Sequence, residues 1–256
     1  MNSTYRNLEM RWKALRGGPG DLRVREVACV GAARTLLCVE LGDSALPTVT
    51  LSAGIHGDEP AGPWALLELV ESDALDPRCA YRVWPCTNPT GFDARTRASV
   101  DSVDLNRTFG RGGSSPEAKA VVMSNRDRKF ELAMDLHEDD DADGFYCYEY
   151  GVGDLATAAV AAVRAGDFPI QPLGSGFDLG WAPEPGTIVF APGIARPDPH
   201  AEGEALGGLS YALLLARGAA GRVLTFETPS RLPWESRVAM HRTAVAGAVA
   251  DLLAKR

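Results

Sequence analysis

Val49-Thr50-Leu51-Ser52-Ala53-Gly54-Ile55-His56-Gly57-Asp58-Glu59 is the stretch on which the reading of the fold turns. Its first seven residues are dominated by β-branched and apolar side chains, so they predict a buried strand. Gly54 and Gly57 flank the end of that run and let the backbone turn sharply. Ala61 to Glu71 then shows helix-like spacing. Strand, tight turn and helix in this order make a βα unit. The same turn sets an imidazole and a carboxylate, His56 and Glu59, three positions apart.

Working outward, further strand-like runs are Thr35 to Leu41, Tyr81 to Cys86, Phe130 to Leu136, Thr187 to Ala191 and Val223 to Glu227. Between them, Ser115 to Asn125, Asp154 to Ala165 and Gly207 to Arg217 read as helices, and Trp234 to Lys255 as a final one. Ser115-Pro116 supplies an N-cap followed by a proline in the first helical position. The strands at Val49 and Val223 read as apolar on both faces. Alternation of this kind predicts an α/β fold: one domain over residues 1–256, a mixed, mostly parallel, twisted sheet with helices on both faces. The Gly- and Pro-rich segment Gly174 to Gly208 reads as long loops.

Composition narrows the function. Of 256 residues, 45% are hydrophobic and 23% charged, an ordinary globular balance. A net charge of -8 argues against nucleic acid, which needs a basic face. No run approaches the length of a membrane span, and the amino terminus lacks the apolar core of a secretory signal. Cys29, Cys38, Cys79, Cys86 and Cys147 are scattered and odd in number, so they read as reduced thiols of a cytoplasmic protein.

His137 closes the run Phe130 to Leu136, and Glu227 closes the run from Val223. Strand carboxyl ends are where α/β sheets gather ligands. Two neutral imidazoles and a carboxylate make a three-ligand zinc set, which leaves one position for water. Asn88-Pro89-Thr90-Gly91 precedes Arg95, Arg97 and Asp104-Leu105-Asn106-Arg107. A loop with arginines and an asparagine can bind a carboxylate in bidentate fashion and polarise a carbonyl. A glutamate ending an apolar strand, as in Leu224-Thr225-Phe226-Glu227, gains a raised pKa from partial burial and suits proton transfer.

His56-x-x-Glu59, Asn88-Pro-x-Gly91, Asp104-Leu-Asn-Arg107, His137 and Thr225-x-Glu227, in this order, resemble the zinc carboxypeptidase family of the carboxypeptidase A type. Within it, the chain looks closer to the compact bacterial members, including the murein peptide amidases and the succinylglutamate desuccinylase/aspartoacylase branch. The resemblance implies that His56, Glu59 and His137 hold one zinc ion per chain. It implies Glu227 as the general base acting on zinc-bound water, Arg97 as the carbonyl-polarising group, and Asn106 and Arg107 as a clamp for the substrate carboxylate. Arg95 competes with Arg97 for its role. The family's substrate-side tyrosine has no motif here, although Tyr146, Tyr148, Tyr150 and Tyr211 lie in the expected interval.

The implied activity is a metallohydrolase that cleaves an amide beside a free carboxylate of a peptide or murein peptide. The alternative is deacylation of an N-acyl amino acid, a branch that usually carries an extra β domain, while only Pro229 to Arg256 remains after the glutamate motif. A minor alternative is an inactive metal-binding or interaction protein. Glu138 to Asp143 reads as a solvated acidic loop, or else as a rim for amine-bearing substrates or a second cation. His200 reads as a surface loop residue and His241 as a helix residue outside the ligand set.

Overall fold

The computed structural model describes residues 4–18, 21–31, 33–151, 154–172, 188–196 and 208–256. His200 and most of the Gly- and Pro-rich segment lie outside them. The described strands form one nine-stranded sheet in the order β1-β2-β4-β3-β5-β9-β6-β8-β7. Its centre is parallel: β4 (Ala80–Trp84), β3 (Thr48–Ala53), β5 (Leu132–Asp139) and β9 (Arg222–Pro229). Antiparallel pairings join β1 (Arg23–Val30) to β2 (Arg34–Leu41), and β2 to β4, at one edge. On the other side β6 (Tyr146–Gly151) runs antiparallel to β9 and carries β8 (Ile194–Arg196) and β7 (Ile188–Ala191).

The two faces differ in chemistry because strand side chains alternate. Leu51, Met134, Leu136, Leu224 and Phe226 pack on one face. That face is covered by α2 (Ala61–Glu71), α5 (Leu155–Ala165) and the last helix, Trp234–Ala254. Ala133, Val223, Tyr146 and Tyr148 pack on the other, with Val121 of α4 (Pro116–Ser124) and with Tyr211. Helices on both faces are therefore present.

The second face departs from the reading of β3 and β9 as apolar on both sides. Thr50, Ser52, Asp135 and Thr225 are buried there, in a polar lane that leads to the strand ends. Pairing makes such groups tolerable: Ser52 Oγ donates to Asp135 Oδ1 at 2.6 Å and Thr50 Oγ1 to the Arg82 carbonyl at 3.1 Å.

Some element limits differ from the expected ones. β5 continues through His137 to Asp139 and β9 through Glu227 to Pro229, so both residues sit inside strands rather than at their ends. The helix expected over 207–217 is a single turn, Tyr211–Leu214, followed by a π turn, Leu215–Ala219. The first helix, α1 (Tyr5–Ala14), has no counterpart in the sequence reading; it buries Tyr5, Leu8 and Trp12 at helical spacing and is capped by Thr4. No helix among the described residues is long and apolar enough to cross a membrane.

Candidate metal centre

The turn after β3 is held by close backbone packing. A Cβ on Gly57 would lie 1.9 Å from the Gly91 carbonyl carbon, so only glycine lets this loop sit against α3 (Pro89–Ala94). Asn88 ties the two together. Its N–H donates to the Gly54 carbonyl at 2.7 Å, its Oδ1 caps α3 through Gly91 N at 2.9 Å, and its Nδ2 donates to the Arg97 carbonyl at 3.2 Å. The Asn-Pro-x-Gly motif therefore fixes both the His56 turn and the Arg97 segment.

His56, Glu59 and His137 converge at the carboxyl ends of the central strands, all buried. His56 Nδ1 lies 2.5 Å from Glu59 Oε1, His137 Nδ1 lies 2.8 Å from Glu59 Oε2, and the two Nδ1 atoms are 3.2 Å apart. The Glu138 N–H donates to Glu59 Oε2 at 3.2 Å. An outer contact orients one ring, with His137 Nε2 3.1 Å from Asp135 Oδ2, while Asp104 Oδ1 lies 3.4 Å from His56 Nε2 without a formed hydrogen bond. A carboxylate behind a histidine fixes its tautomer and exposes the other nitrogen as a lone pair.

Burial works against charge on Glu59, but the His56 and His137 rings overcome it and hold this carboxyl well below the usual range. Burial likewise opposes protonation of His137, yet Asp135 and Glu59 raise its pKa well above the ordinary value. Three donor atoms of the kinds a divalent zinc ion takes thus face one another in a buried spot, and the residues fit that ion. Loading with zinc at 100 times its Kd is expected to stabilise the fold by about 2.7 kcal/mol. A chelator should then lower the thermal midpoint by roughly 5–10 °C, reversed by added zinc. An unchanged midpoint in calorimetry would contradict the site.

Glu227 is the register partner of His137 across β5 and β9 and is half-buried beside the set. Burial raises its pKa well above the carboxylate range; the His137 charge opposes this, and Glu59, Asp139 and Asp135 add to it. Arg97 reaches the same place from the rim. Its Nη1 is 3.8 Å from Glu59 Oε1 and its Nε donates to Asp104 Oδ2 at 3.2 Å. Arg95 is exposed, in a left-handed conformation at the end of α3. Of the two arginines, Arg97 is the one at the cluster.

Asn106 and Arg107 form a short 3-10 turn, Leu105–Arg107, capped by Asp104. Asn106 Oδ1 accepts from Tyr211 N at 3.2 Å, leaving its amide nitrogen to donate elsewhere. Arg107 Nη1 donates to the Asn106 carbonyl at 3.0 Å, and no carboxylate pairs with it among the described residues.

None of the four tyrosines is an exposed substrate-side residue. Tyr146, Tyr148, Tyr150 and Tyr211 are buried. Tyr146 OH donates to Asp139 Oδ2 at 2.7 Å, and Tyr211 OH accepts from Asn125 Nδ2 at 2.9 Å. The acidic run is divided: Glu138 is buried, Asp139 is half-buried, and Asp140 and Asp141 are exposed. Asp135, the carboxylate behind His137, is not among the residues expected from the sequence; the Asp-x-His spacing in β5 is its signal.

His241 is buried in the last helix, outside the group formed by His56, Glu59 and His137. Its Nε2 meets Thr228 Oγ1 at 3.2 Å, while Nδ1 has no partner. Burial, with the nearby His137 charge, lowers its pKa to about 3. The unfolded chain therefore binds a proton between about pH 6.5 and 3 that the folded chain refuses, and stability falls as pH drops through that window. Between pH 7 and 5 the loss from this group is about 2 kcal/mol. Urea unfolding of wild type and His241→Asn at both pH values should show the variant losing about that much less; equal losses would contradict the assignment.

The succinylglutamate desuccinylase/aspartoacylase catalytic domain model matches residues 45–169, which include both histidines, Glu59 and the arginine loop. A Shewanella amazonensis protein named as a candidate metallopeptidase superposes with a TM-score of 0.74 at 22% identity, over 97% of this chain and 92% of that one. The chain has the metallo-carboxypeptidase fold. A metallo-carboxypeptidase from Burkholderia cenocepacia agrees, with a TM-score of 0.69 at 18% identity over 96% of this chain and 68% of its own. Among curated sequences, Carboxypeptidase SOL1 of Arabidopsis thaliana is 30% identical over 127 residues, 40% of this chain and only 26% of that relative's length. These matches agree with the layered α/β fold expected from the sequence.

Proposed function

We propose that the protein is a zinc-dependent hydrolase that cleaves an amide bond next to a free carboxylate, in the manner of a carboxypeptidase. The observation that carries this reading is the convergence of His56 Nδ1, His137 Nδ1 and the Glu59 carboxylate beside a half-buried Glu227. Zinc, when bound, supplies a Lewis acid and an acidified water. The remaining roles fall to the chain. Glu227, as a carboxylate, takes a proton from the attacking water and returns it to the leaving nitrogen. Arg97 donates to the carbonyl oxygen as negative charge grows on it, an effect worth about 3 kcal/mol for a well-placed donor. Asn106 and Arg107 bind the substrate carboxylate and set which amide faces Glu227. One zinc per chain and a small peptide or N-acyl amino acid as substrate complete this reading.

A second reading, removal of an acyl group from an N-acyl amino acid, is favoured by the desuccinylase/aspartoacylase match over residues 45–169. Both readings use the same ligands and the same carboxylate clamp. Mass spectrometry of products separates them. A panel of free-acid peptides, their amides, murein peptides and N-acyl amino acids is incubated with the zinc-loaded protein. Loss of one carboxy-terminal residue from free-acid peptides alone is the expected result. Acyl release from single amino acids would assign the protein to the deacylases, and no turnover of any member would contradict both readings.

A further inference from the structure

Residues that follow the site in β5 and β9 point away from it, because strand side chains alternate. Glu138 follows His137, and Thr228 follows Glu227; the two are register partners on the face covered by the last helix. That helix meets both, one turn apart. Arg237 pairs with Glu138, and His241 with Thr228. A helix without any sequence motif is thus attached directly behind one candidate ligand and the candidate base.

The Glu138 contact is the more consequential. Its side chain is fully buried, and both oxygens are used. Oε1 accepts from Ala61 N at 2.7 Å, two residues past Glu59, and Oε2 takes the Arg237 guanidinium. Its own N–H donates to Glu59 Oε2. Arg237 in turn stacks on Trp234, 5.4 Å from the ring centroid. A single residue therefore joins the strand of His137, the segment of Glu59 and the last helix. Burying an ion pair is not a cheap source of stability, since apolar replacements of both partners are often as stable. Its value here is geometric.

We infer that Glu138, anchored by Arg237, is a positioning residue that fixes the Glu59 carboxylate against His137, and so sets the geometry of the three-ligand centre. This rests on the metal reading above. Without the Glu138 acceptor, the first turn of α2 is no longer fastened to β5, and Glu59 loses its fixed approach. Loss of an outer contact of this kind typically weakens metal binding about 10- to 100-fold.

Two double variants isolate the contact. The first, Glu138→Gln with Arg237→Met, removes the charges but keeps an acceptor for Ala61 N. The second, Glu138→Met with Arg237→Met, removes the acceptor too. Cobalt(II) affinity is measured by chelator competition, with the visible cobalt spectrum and the thermal midpoint recorded alongside. The first double variant is expected to bind within about threefold of wild type, and the second about 10- to 100-fold more weakly with an altered spectrum. Glu138→Asp, which shortens the carboxylate but keeps its charge, tests the same contact should the second double variant fail to fold, and should weaken cobalt about tenfold. Wild-type affinity and spectrum in the second double variant, or in Glu138→Asp, would overturn the inference while leaving the metal centre standing. A wild-type protein that binds no cobalt or zinc would overturn the metal reading and this inference with it.

Discussion

Replacing Glu227 by Gln is expected to lower turnover by roughly 10²- to 10⁴-fold, the range a general base contributes, while metal content stays at one ion per chain. The substitution is nearly isosteric and lies near the end of β9, opposite His137 in register but outside the three donor residues. Burial with Glu59, Asp139 and Asp135 nearby favours the protonated form of Glu227 in the metal-free protein. A bound dication would oppose that effect, drawing the carboxyl back toward the form that accepts a proton. The amide of Gln can do neither half of the transfer. Steady-state kinetics with metal analysis on the same sample check the result. Retained turnover with full metal would remove Glu227 from its role.

Arg107→Ala should discriminate between substrates rather than weaken all of them. A charge-assisted hydrogen bond contributes about 1.5–3 kcal/mol, so losing the contacts to a substrate carboxylate is expected to cost about 100-fold in kcat/KM for free-acid substrates. Their amidated counterparts lack the charge and should change only a few-fold. Arg107 suits this role because it stands in the short turn capped by Asp104, where its Nη1 donates to the Asn106 carbonyl at 3.0 Å. The 3-10 turn that presents it is held by the Asp104 cap and by the Tyr211 N–H on Asn106. Equal losses on acids and amides would assign Arg107 a structural role.

The site was more legible in the sequence than the sheet around it. His56 and Glu59 follow β3, and His137 and Glu227 lie close to the carboxyl ends of β5 and β9, where the apolar pattern of each run already breaks. The residues that orient them were harder to see. Asp135 and Ser52 read as parts of apolar strands, and only the parallel register of β3 with β5 brings them together. β6 carries a weak strand signal because Tyr146 to Tyr150 follows an acidic stretch, and its charged member, Glu149, is stabilised by Arg196 of β8 at 2.7 Å. That pairing is set by tertiary structure and leaves no local signal. α1 carries a weak helix signal because its three buried residues are spread among charged and polar ones. The acidic run misled for the opposite reason: a run of like charges suggests a solvated loop, yet alternation turns Glu138 inward onto Arg237.

Anomalous diffraction at the zinc edge, from crystals of the zinc-loaded protein, tests whether His56, Glu59 and His137 make one metal centre. The expected result is one strong peak bound by the Nδ1 atoms of His56 and His137 at about 2.0–2.1 Å and by Glu59 at about 2.0–2.2 Å. A peak elsewhere, one bound through the Nε2 atoms that face Asp104 and Asp135, or no peak at all would contradict it.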